Sequence, residues 1–139
     1  MSLLGQAIFN LASNKTDYAT ALPGGLHPDT NPVTAPLPYG IYQGVSKQLI
    51  NGVDGINIAA TERVSITIVA KTRTAAQAAA NWLATIIKST PSIQTVGTLK
   101  IFQMRVEDQT TNAEIFADGS DEAARVHEID VVATYKESV

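Results

Sequence analysis

The amino-acid sequence predicts an α+β fold: a single mostly antiparallel β-sheet with two or three helices packed on one face and a long loop or hairpin arm. Three observations lead there. Residues 62–70 alternate strictly, with Val64, Ile66, Ile68 and Ala70 facing one way. Residues 74–88 change to the helical period, with Ala75, Ala79, Trp82, Leu83 and Ile86 on one stripe. The turn dipeptides Asn51-Gly52 and Asp54-Gly55 separate strand-like segments. A chain of 139 residues suits one domain with one core, so residues 1–139 are read as a single unit.

In chain order, Leu3, Leu4, Ala7, Ile8 and Leu11 recur every three or four residues and predict a short amphipathic helix, with Ser2 placed to cap it. Residues 17–22 add a further turn, which Pro23-Gly24-Gly25 stops. Five of the six prolines fall between positions 23 and 38, so that stretch is expected to be an extended loop. Residues 39–46 read as a strand with Tyr39, Ile41 and Val45 on one side, and residues 56–60 and 62–70 as two more, which makes a meander. Pro91 suits a helix that has already ended by residue 88. Two strands close the chain: residues 99–107, with Phe102, Met104 and Val106 on one face, and residues 126–135, with Ile129, Val131, Ala133 and Tyr135 on one face. Residues 109–125 would then be a 17-residue connection, well beyond an ordinary hairpin loop.

Composition removes several classes of function. Zero cysteines exclude disulfides, thiolate metal sites, iron–sulfur clusters and thiol nucleophiles. A net charge of -3 argues against gripping nucleic acid through the general surface, which needs clustered Lys and Arg. No apolar run approaches the ~18 residues of a membrane-spanning helix, and Met1-Ser2-Leu3-Leu4-Gly5-Gln6 has no cationic region before its apolar stretch. Neither membrane insertion nor secretion is expected, and the sequon Asn14-Lys15-Thr16 carries no weight.

The motifs of catalysis are missing from the sequence. There is no HExxH, GxSxG, GxxxxGK[ST] or GxGxxG, and the two histidines, His27 and His127, lack an identifiable orienting partner. Both are read as surface or strand-edge residues. Asp118-Gly119-Ser120-Asp121-Glu122 lacks the ligand spacing of an EF-hand and reads as a solvated acidic turn. No catalytic, cofactor or metal residue is expected. Trp82 is placed between helix and sheet, because its neighbours at 79, 83 and 86 are apolar. Tyr39 and Tyr42 point to opposite faces of their strand, so at most one is expected to be buried and the other is available to an interface.

Four segments in matching order carry a family resemblance. They are the N-terminal helix; Leu37-Pro38-Tyr39-Gly40-Ile41-Tyr42-Gln43 after the Pro-rich loop; Arg63-Val64-Ser65-Ile66-Thr67-Ile68-Val69-Ala70-Lys71-Thr72 leading into the Ala-rich helix; and the closing pair Phe102-Gln103-Met104-Arg105-Val106-Glu107-Asp108 and His127-Glu128-Ile129-Asp130-Val131-Val132-Ala133-Thr134-Tyr135. Across nearly its whole length the chain resembles the tail terminator, tail-completion or head-to-tail joining proteins of phages with long flexible tails. The resemblance implies a non-enzymatic virion protein without cofactors. Six copies would form a ring that caps the tail tube and presents a docking surface to the neck or connector, with DNA passing through the lumen. Its place would be the tube-to-neck junction of the virion, after assembly in the host cytoplasm. Residues 27–38 and 109–125 depart from the family's pattern.

The charge layout fits such association. Residues 107–130 carry eight acids against the single base Arg125, a net of -7, and the rest of the chain carries +4. One edge is expected to be acidic and another basic, which favours head-to-tail contacts. The apolar pair Ile115 and Phe116, set among Asp118, Asp121 and Glu122, is expected to order against a neighbouring subunit, where basic residues such as Lys47, Arg63, Lys71, Arg73 or Lys100 meet the acids. The alternative is that the pair folds back on its own sheet. Tyr42 is the further interface candidate. Three rival functions stand beside the ring: a neck or head-completion adaptor, a small dimeric ligand-binding α+β domain, and a small enzyme using His127 with a nearby acid. Oligomeric state separates them, since the ligand-binding reading needs stable dimers.

Overall fold

The computed structural model describes residues 3–28, 38–51, 57–89, 94–96, 99–115 and 123–137, and among them are three helices and six strands. They are α1 (Leu3–Ser13), α2 (Tyr18–Ala21), β1 (Leu26–Pro28), β2 (Tyr39–Asn51), β3 (Asn57–Ala70), α3 (Arg73–Ser89), β4 (Gln94–Val96), β5 (Leu99–Ile115) and β6 (Ala123–Glu137). The strands form one sheet in the order β1-β2-β3-β6-β5-β4. Every pairing is antiparallel except that of β1 with β2. The expected α+β class and its layering are present, with a parallel edge strand added.

The core forms where the alternation of β3 meets the helices. Val64, Ile66 and Ile68 point inward, and β6 sets Val131 and Ile129 opposite the first two of them. The helix α3 covers this face with Ala76, Ala79, Ala80, Leu83, Ala84, Ile86 and Ile87, whose small alanines let its backbone come close to the sheet. Thr72 Oγ1 accepts the Ala75 amide at 3.1 Å and so caps the helix start. The helix α1 adds Leu4, Ala7, Ile8 and Ala12 to the same cluster. Each fully buried Leu or Ile contributes roughly 1.5–3 kcal/mol, so this shared face dominates the stability of the fold. Gly40 is needed where β1 joins: a Cβ there would lie 2.7 Å from Leu26 Cδ1 and 3.0 Å from Ile68 Cδ1.

Several sequence expectations need correction. Residues 57–70 form one continuous strand where two were expected, because Thr61 keeps the ladder with Gln48 and Thr134. The 17-residue connection is mostly strand: β5 runs to Ile115, paired with Ala123 of β6, so only residues 116–122 remain between them. This is the hairpin arm rather than the loop. The extended loop after Pro23 contains β1, and β4 follows α3. Register shifts in β5 between Ile101 and Gln103 change the phase, so Leu99 and Ile101 are buried with Met104 and Val106 packed against the core, whereas Phe102 is half-buried off that row. Ser2, Pro91 and the turn residues 52–56 lie outside the described residues, as do residues 29–37 of the Pro-rich stretch.

Trp82 does not anchor helix to sheet. It is half-buried at the margin of the core, its ring centroid lies 6.3 Å from that of Tyr18, and its Nε1–H donates to Asp17 Oδ2 at 2.9 Å. It therefore holds α3 to the α2 segment, and Leu83 takes the position facing the sheet. Trp82→Ala is expected to cost only about 1–2 kcal/mol, the worth of a half-buried ring and one exposed hydrogen bond. A chemical denaturation curve checks this; a loss as large as that of a core leucine would return Trp82 to the sheet.

Candidate functional site

One face of the sheet is covered by the helices. On the opposite face β3 presents Arg63, Ser65 and Thr67, and β6 presents Glu128, Asp130 and Thr134, beside the buried Tyr39, Ile41, Val69 and Val132. Thr61 and Thr134 meet through their hydroxyls at 3.1 Å, a cross-strand pair typical of a polar sheet surface. Arg63 pairs with Glu107 of its own chain at 2.8 Å, and both side chains are more than one third exposed. Such a pair contributes about 0–1 kcal/mol, so it aligns β3 and β5 side chains more than it stabilises them.

Burial along β2 changes abruptly. Tyr39, Gly40, Ile41 and Tyr42 are buried, and every residue from Gln43 to Asn51 is exposed. Val45 is 57% exposed, Leu49 52% and Ile50 39%. The reason is the sheet edge: β1 pairs only with Gly40, Ile41 and Tyr42, and no described strand continues along β2 beyond them. Val45, Leu49 and Ile50 are thus exposed apolar side chains interspersed with Ser46, Lys47 and Gln48.

Among the described residues, Glu62 and His127 are buried. Glu62 is 4% exposed, and its Oε1 accepts the Tyr135 hydroxyl at 2.8 Å and the Leu4 amide at 3.3 Å. It thereby ties the start of α1 to β3 and β6. His127 is buried within β6, and its Nε2 hydrogen-bonds Gln109 Oε1 at 3.0 Å. This corrects the surface reading of His127. Burial pushes its pKa below the usual 6.5, because the imidazolium would lose its hydration. The unfolded chain therefore takes up a proton near 6.5 that the folded chain resists, and stability is complete above that pH and falls as pH drops through it towards the lower folded value. The melting temperature is expected to decline over this window, and His127→Gln to remove part of the decline; an identical slope in both proteins would contradict the assignment. His27 is half-buried in β1, with Nε2 donating to the Gly24 carbonyl. Among the described residues, no group of three His, Asp or Glu could hold a metal ion, and no helix is long and apolar enough to cross a membrane.

The expected interface residues are dispersed. Tyr42 is 4% exposed and belongs to the core, and Tyr39 on the other face is 8% exposed, so both rings are buried where one was expected to be free. Tyr42 is thus lost as a surface candidate. Lys71 and Arg73 are exposed at the junction of β3 and α3. Lys47 is on the exposed stretch of β2, its Nζ 5.8 Å from the centre of the Tyr135 ring, and Lys100 lies similarly over Phe102. Ile115 ends β5, and Phe116, Asp118, Asp121 and Glu122 lie outside the described residues. Sequence reasoning missed Glu62 and the apolar edge. The signal for Glu62 was available: the alternation that turns Val64, Ile66 and Ile68 inward turns residue 62 inward as well.

The single-sheet α+β fold has a counterpart among solved structures. The protein is similar to a chain in a structure described as the virion of a native gene transfer agent (GTA) particle, with a TM-score of 0.61 over 96% of this chain and 95% of that one, at 12% identity. At that identity the likeness is one of fold. No protein-family model matches the sequence, and no curated protein matches it.

Proposed function

We propose that this protein is a structural component of a phage or phage-like virion. In this reading six copies form a ring that caps the tail tube and joins it to the neck, with DNA passing through the lumen without sequence-specific contacts. The observation that carries it is the end-to-end fold likeness to a chain of a gene transfer agent virion, at 96% and 95% coverage, in a chain whose sequence already resembles tail terminators. The exposed edge of β2 supports the reading, since a monomer gains nothing by showing Val45, Leu49 and Ile50 to water. The tail tube protein and the neck or connector protein are the partners, and the tube-to-neck junction is the location.

Negative-stain images of the purified protein, alone and mixed with tail tubes, test this. Six-fold rings that collect at one end of the tubes are the expected result. Rings that bind isolated necks but ignore tubes would assign the protein to the neck instead. A stable dimer at all concentrations would overturn the ring.

A further inference from the structure

Among the described residues, the two long edges of the sheet lack a neighbouring strand at opposite corners. On one side the described part of β1 ends at Pro28, opposite Tyr42, and no described strand lies beside residues 44–51 of β2. On the other side β4 pairs only with Leu99, Lys100 and Ile101, and leaves the rest of β5 in the same condition among the described residues. The antiparallel order β2-β3-β6-β5 makes β2 and β5 run in opposite directions. Two copies set side by side in the same orientation would therefore bring β2 of one against β5 of the next as an antiparallel pair.

Charge and apolar area favour the same contact. Lys47 is the only charged residue of β2, whereas β5 beyond residue 101 carries Asp108, Glu114 and the Arg63-paired Glu107 against Arg105. Val45, Leu49 and Ile50 are exposed along this stretch of β2, where Lys47 is the single charge. The two edges differ, so the contact is head-to-tail and closes into a ring when its rotation allows.

From this we infer that the exposed stretch of β2 docks on the outer edge of β5 in a second copy of the chain and extends the sheet from subunit to subunit. The inference rests on the ring proposed above and names its contact. It moves the interface from the Ile115–Phe116 tip to the body of the sheet.

Introduced thiols test it cleanly, because the chain has no cysteine. Gln48→Cys on β2 is combined in turn with Gln103→Cys, Arg105→Cys and Thr110→Cys on β5, since all four positions are exposed. A short bismaleimide is added to the assembled protein, and products are separated under denaturing conditions. At least one double variant is expected to give a ladder of covalent multimers, while each single variant stays monomeric on the gel. Dimers from Gln48→Cys alone would mean that β2 pairs with its own copy and would overturn the head-to-tail contact. Native mass spectrometry showing hexamers with no double variant cross-linked would sink this interface and leave the ring standing. A monomer at every concentration would defeat both. As an independent readout, Val45→Lys with Leu49→Lys is expected to weaken association by at least about tenfold. Its melting temperature as a monomer should stay unchanged, because both side chains are already exposed. Unchanged association of that variant would also overturn the proposal.

Discussion

Leu83→Ala is expected to lower the stability of the folded chain by about 2–5 kcal/mol, the range for emptying a well-packed leucine site. Leu83 is fully buried and sits on the side of α3 that meets β3 and β6. The truncation removes apolar contacts and leaves a cavity that the sheet cannot close, because the paired strands hold their spacing. Since a domain of this size is stable by only about 5–15 kcal/mol, the variant should unfold at a clearly lower denaturant concentration, with the slope of the transition unchanged. Set beside Trp82→Ala, it separates the two descriptions of α3. Leu83 should cost the more; the reverse order would mean that the helix is rotated relative to the arrangement described above.

Glu62→Ala is expected to be comparably damaging, at about 2–5 kcal/mol, through a different cause. The substitution removes the acceptor that the Tyr135 hydroxyl and the Leu4 amide share in the core, and loss of such a buried hydrogen-bond partner costs about 1–3 kcal/mol for each donor. Glu62→Gln retains an oxygen to accept both bonds and should lose much less. Hydrogen exchange gives the local test, because Glu62 fastens α1 to the sheet: the amides of α1 should lose protection in the Ala variant before those of β3 and β6 do. Uniform loss across all three elements would show that Glu62 supports the whole core and has no special tie to α1.

The strength of these two effects explains which parts of the molecule were legible beforehand. The alternation of Val64, Ile66 and Ile68 and the helical stripe of α3 record burial directly, residue by residue, because a side chain's phase in a strand or helix sets the face it occupies. Those elements appear where the pattern puts them. The arm is different. Residues 109–115 read Gln-Thr-Thr-Asn-Ala-Glu-Ile, with no apolar alternation, and they are strand because β6 offers a ladder to pair with. β1 is likewise three residues long and contains a proline; its pairing with Gly40, Ile41 and Tyr42 depends on a glycine twelve or more positions away and on space that only the assembled sheet defines.

Phase errors account for the misplaced side chains. One extra residue in β2 near Val45 and two in β5, near Phe102 and Glu107, each invert the in-and-out order beyond them, and a bulge has no reliable local signature. The candidate interface was correspondingly half legible. The sequence alone establishes a single α+β sheet, its two principal helices and an uneven distribution of charge, because periodicity and composition are local and additive. The burial of Tyr39 and Tyr42, the turn of Trp82 towards Asp17, the intrachain engagement of Arg63 and the open edges of β2 and β5 were decided only by tertiary structure. The strand edges depend on where pairing between distant segments ends, and the other features on contacts between segments far apart in the chain, which no residue carries on its own.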